Sequence, residues 1–146
     1  MKRNKGNSCL KKILLLLSVM GILLVSSGCV NEMIGQKITV QKRTGEENTF
    51  EDFKEVTQRK QVTQAIDIVK NANWENAKVE MESYADYQFQ FPFKNSNEEK
   101  IASYLLWISP NSENLEIVTD SDKYVKLTKQ DSADLYEILT GEELVK

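Results

Sequence analysis

Apolar and polar residues alternate along this chain in several distinct ways. Residues 13–25 are almost wholly apolar, and only bases precede them: Lys2, Arg3, Lys5, Lys11 and Lys12. "KITVQKR" (residues 37–43) alternates Ile38 and Val40 with polar neighbours, the period of a half-buried strand. In "TFEDFKEV" (residues 49–56) the spacing of Phe50, Phe53 and Val56 suits a helix and the β-formers suit a strand; we read a strand. Residues 58–73 are helical by pattern, with Val62, Ala65, Ile66, Val69 and Ala72 on one face and Thr57 as the expected N-cap. From Val79 onward the period is two. "YQFQFPF" places Tyr87, Phe89, Phe91 and Phe93 on one side and Gln88 and Gln90 on the other.

"NSNEEK" reads as a loop, "IASYLLWIS" as a strand with apolar residues for both faces, and "PNSEN" as a turn. "LEIVT" and "KYVKL" follow as strands about the turn "DSD". Connections this short join antiparallel neighbours, so the C-terminal half reads as a meander. Thr128 and Asp131 have the spacing of a capping box, Leu135, Ile138 and Leu139 supply a helical core side, and Gly141 stands where a helix C-cap belongs. The fold class expected is α+β: an antiparallel sheet of five or six strands with two helices packed on one face.

The first segment changes the picture of where the protein sits. A thirteen-residue apolar helix would span roughly 20 Å, short of the ~30 Å hydrocarbon layer. Bases, a short apolar run and small residues form a secretory signal peptide, and acidic Glu32 follows it rather than a basic stop-transfer cluster. "VSSGC" resembles the lipobox of bacterial lipoproteins, with Ser26 where a bulky aliphatic residue is usual. The resemblance implies a diacylglyceryl thioether on Cys29 and cleavage between Gly28 and Cys29. Residues 1–28 are then a removed signal peptide, 29–36 a lipidated cysteine and short tether, and 37–146 a single domain. Two acyl chains hold a protein stably on a bilayer, where one is marginal.

Removal of residues 1–28 would leave fourteen bases against twenty-two acids, a net charge of −8. That composition excludes the basic stripe nucleic-acid binding needs. Cys9 leaves with the signal and Cys29 is taken by lipid, so no disulfide is available. With no histidine, Ser-His-Asp and Cys-His catalysis and His-based zinc sites are also excluded.

The order of elements resembles the YhfM-like domain of small Gram-positive lipoproteins. The likeness rests on a strand after the cysteine, the helix ending "NANW", the strands "DYQFQF" and "YLLWIS", and the terminal helix "LYEILTG". It implies compartment and fold, and brings no catalytic motif with it.

Candidate chemistry is sparse. Asp120 and Asp122 have the spacing that opens a calcium loop, but the Gly and Glu of a full loop are missing; a hairpin turn whose aspartates bond their own backbone is the plainer reading. The pairs Glu46/Glu47, Glu98/Glu99 and Glu142/Glu143 read as solvated surface. No metal and no cofactor is expected. The row Tyr87, Phe89, Phe91 and Phe93, with Trp107 and Trp74, reads first as sheet core and second as an exposed ledge that binds a glycan or peptide. The function expected is a non-catalytic binding or interaction module, lipid-anchored at the extracytoplasmic face of the cell membrane, with a protein or cell-wall partner. The alternative is a carboxylate-dependent hydrolase of cell-wall polymer.

Overall fold

The computed structural model describes residues 37–95 and 98–145, so the expected signal peptide, Gly28, Cys29 and the whole of the tether lie outside the described residues. The chain forms strands β1 (Ile38–Thr44) and β2 (Thr49–Val56), helix α1 (Arg59–Asn71), and strands β3 (Glu75–Asn76), β4 (Tyr87–Asn95), β5 (Glu98–Ile108), β6 (Leu115–Thr119) and β7 (Lys123–Lys126). Helix α2 (Lys129–Thr140) closes it. All strands join one antiparallel sheet in the order β2-β1-β4-β5-β6-β7-β3. The α+β reading therefore holds. The additional strand is β3, two residues long and too short to leave a period-two signal.

The ambiguous segment 49–56 is a strand because Val56 pairs with Ile38 and Val40 faces Lys54 in a regular ladder. Its helix-like spacing comes from a register shift after Val40, a β-bulge that inserts one extra residue and re-aims the side chains beyond it. Phe53 is consequently 40% exposed and packs edge-on against Tyr87 at 5.8 Å.

One sheet face is apolar and carries both helices. Ile38, Val40, Phe89, Phe91, Leu106, Leu115 and Ile117 are at most 1% exposed there, and Val62, Ala65, Ile66 and Val69 of α1 with Leu135, Ile138 and Leu139 of α2 cover them. On the opposite face, Gln88 and Gln90 both donate to the Ser103 hydroxyl, at 2.8 and 3.3 Å.

Helix α2 starts as its sequence predicts. Thr128 Oγ1 accepts the Asp131 N–H at 3.1 Å and donates to the Asp131 carboxylate at 2.7 Å. It ends at Gly141, whose φ of 83° is left-handed and whose N–H donates to the Glu137 carbonyl at 2.8 Å. Helix α1 departs from expectation: Gln58, not Thr57, is its N-cap, and it makes no side-chain cap. Packing of an apolar stripe suffices to hold that end. The expected loop at residues 95–100 is also shorter, because β5 begins at Glu98 and pairs across from Asn95.

Two polar arrangements, one buried and one partly buried, hold segments together. Ser132, fully buried in α2, accepts the Leu115 N–H of β6 at 2.9 Å. The segment leading into β4 is latched by Arg43, whose Nε donates to the Ala85 carbonyl at 3.0 Å, and by Asp86, which accepts the Ile108 N–H at 2.8 Å.

Candidate functional site

Trp74 follows the C-terminal end of α1, and its indole N–H donates to the Val69 carbonyl at 2.7 Å. That bond satisfies one of the acceptors a helix terminus leaves free and fixes the ring. The ring leans on Tyr104 of β5, with centroids 6.0 Å apart at 41°. Tyr104 stacks in turn on Phe89 at 5.1 Å and on Phe91 at 5.2 Å. A rigid aromatic platform thus runs from the core to the surface.

Between this end of α1 and strands β5 and β6 opens a cleft of about 540 Å³. Half-buried Trp74 and Tyr104 line it, and Lys70, Lys100 and Lys123 reach it from α1, β5 and β7. Asp120 is the one carboxylate among its described lining residues. None of the three lysines forms an ion pair among the described residues. Burial, and then the Asp120 charge, raise the Tyr104 phenol above its ordinary pKa, so it stays a neutral donor and acceptor.

The turn beside the cleft holds the aspartates that resembled a calcium loop. Its backbone is organised by Thr119, whose hydroxyl accepts the N–H groups of Ser121 and Lys123 at 3.3 and 3.2 Å. The expectation that the aspartates do this is thereby corrected; Asp122 instead supplies the left-handed residue, with φ 56°. Among the described residues, no group of three or more His, Cys, Asp or Glu is placed to hold a metal ion.

The aromatic row does not form an exposed ledge. Tyr87 is 5% exposed, Phe89 and Phe91 are fully buried under the helices, and Phe93 follows in β4 with its side chain outside the described set. Burial, then the adjoining Tyr136 phenol, push the Tyr87 pKa well above the usual phenol range. Trp107 points to the other face, where its indole N–H donates to the Ser83 carbonyl at 2.9 Å and anchors the segment before β4. Of the candidate site residues named from sequence, Trp74 and Asp120 reach the cleft. Tyr104 and the lysines went unnoticed because they are scattered from position 70 to position 123 and meet only through sheet pairing. The signal that could have found Tyr104 is its place two residues before Leu106 on the helix-facing side of β5.

A smaller groove of about 290 Å³ between α1 and α2 carries Asp134 and Glu137. Both stand one turn apart on α2, with Glu137 exposed, and Asp134 accepts from Gln130 Nε2 at 2.9 Å.

With fold and cleft in view, the class is an α+β domain whose antiparallel sheet carries helices on one face. Residues 31–144 match the family model described as YhfM protein, and the chain belongs to that family. Among curated proteins, none matches the sequence. Among solved structures, the fold is similar to a thioesterase-like protein from Clostridium sporogenes, with a TM-score of 0.50 at 14% identity, over 71% of this chain and 93% of that one. Likeness at that identity speaks for the fold alone.

Proposed function

We propose that this protein is a non-catalytic binding module, anchored at the extracytoplasmic face of the cell membrane by a diacylglyceryl group on Cys29, and that its domain engages a protein or cell-wall partner. Support for the anchor comes from the order of bases, short apolar run, small residues and cysteine in residues 1–29. The observation that carries the binding role is the cleft beside Trp74 and Tyr104, where ring faces converge with ammonium groups that form no ion pair among the described residues. Such a lining offers contact surface and orientation, the properties of a recognition site.

Hydrolysis by carboxylates, the alternative, requires two carboxyl groups in contrasting environments so that one is acid and the other base. Asp134 and Glu137 share one surface groove, so they give that reading less support than the cleft gives to binding. The test of the anchor is Cys29→Ala in cells fed labelled palmitate. The variant should accumulate as an uncleaved precursor without label; normal processing and labelling would overturn the anchor.

A further inference from the structure

We infer that the cleft between α1, β5 and β6 binds an anionic saccharide, a sugar ring bearing a phosphate or carboxylate group. This rests on the reading of the domain as a binding module and names the ligand class of that same site. Three observations carry it. The first is the platform: Trp74 is held by its bond to Val69, and Tyr104 is backed by Phe89 and Phe91, so both rings are preorganised before any ligand arrives. Aromatic faces are electron-rich, and the C–H bonds along one face of a pyranose ring carry the complementary partial charge.

The second is charge. Among the described residues, Lys70, Lys100 and Lys123 line the cleft with only Asp120 opposing them, a local excess of two positive charges in a chain where acids outnumber bases. Free of ion pairs among the described residues, each ammonium offers three donors to phosphate or carboxylate oxygens. The third is size and the hydroxyls. A cleft of about 540 Å³ lies within the range of small-ligand sites, and Thr119 and Ser121 add hydroxyl groups at its edge.

The chain contains two tryptophans, so the full-length protein in detergent micelles, labelled with ¹⁵N on tryptophan, gives one indole signal inside the cleft and one, from Trp107, outside it. Glucose 6-phosphate and glucuronate are titrated separately, with glucose and inorganic phosphate as controls. At least one charged sugar should shift the Trp74 signal saturably while Trp107 stays still, and the tighter of the two identifies the anion. Glucose alone and phosphate alone should each bind about tenfold more weakly or not at all. The double variant Lys70→Gln/Lys123→Gln should lose about tenfold in affinity with both indole signals otherwise in place, as exposed charge contacts lose when removed. No shift of Trp74, equal shifts from glucose or from phosphate, or unchanged affinity in the double variant would each overturn the inference. A chain that carries lipid on Cys29 yet fails this titration separates the two readings: the anchor stands and the saccharide does not.

Discussion

Replacing Phe89 by alanine tests the arrangement on which the cleft depends. Phe89 is fully buried, stacks on Tyr104 at 5.1 Å and adjoins Phe91 at 6.4 Å. Removing a buried phenyl ring costs roughly 3–5 kcal/mol, the transfer term plus the cavity left behind. The value here should fall in the upper half of that range, because paired strands on both sides of β4 limit collapse into the space. Domains of this size are stable by only ~5–15 kcal/mol. With a urea dependence of ~1–3 kcal/mol per molar, the unfolding midpoint should drop by more than about 1.3 M. Gln88→Ala is the matched control. It removes one of two amides that share the Ser103 hydroxyl on the opposite face, at an expected cost of about 1 kcal/mol or less. Equilibrium urea unfolding of both variants, followed by far-UV circular dichroism, reads the difference. A midpoint for Phe89→Ala within error of that for Gln88→Ala would refute the assignment of the sheet faces, and with it the support beneath Tyr104.

Two further outcomes follow from buried polar groups and from titration. Ser132→Ala strips the Leu115 N–H of its partner in the core and should destabilise by about 1–3 kcal/mol, with faster hydrogen exchange at Leu115 than at its neighbours in β6; an unchanged midpoint would show that the bond contributes nothing. Tyr124 is partly buried and donates to the Glu116 carboxylate at 3.0 Å, and burial followed by that bond pushes its phenol from 10.0 up to about 12. The folded state therefore holds this proton more tightly than the unfolded one, so its contribution is fully present below pH 10 and is lost as pH rises towards 12. Urea midpoints between pH 9 and 11.5 should fall less steeply in Tyr124→Phe than in the parent, and parallel slopes would contradict the assignment.

Period and capping carry much of this fold into the sequence. The stripe of Val62, Ala65, Ile66 and Val69 and the row Tyr87, Phe89 and Phe91 are core because their spacing matches a helix face and a strand face, and both elements bury that face. Thr128 and Gly141 mark the ends of α2 because the bonds they make are local. Interactions set by distant segments were not legible. Register decides that Phe53 slips to the surface after the bulge at Val40, and β3 exists only because β7 is there to pair with it. The cleft belongs to the same kind. Lys70, Lys100 and Lys123 look like ordinary solvated lysines until the sheet brings β5, β7 and the end of α1 together. Trp107 misled for a related reason: a tryptophan on a two-faced strand can bury itself on either side, and here the Ser83 carbonyl draws it to the face away from the helices.

The central claim, a binding domain held on a membrane through Cys29, is tested most directly by intact-mass spectrometry of the protein extracted from the membranes of cells that express the full chain. The account predicts a mature polypeptide of residues 29–146 whose N-terminal Cys29 carries the added mass of a diacylglyceryl group. A chain that retains residues 1–28, or one that begins at another position without lipid, would contradict it.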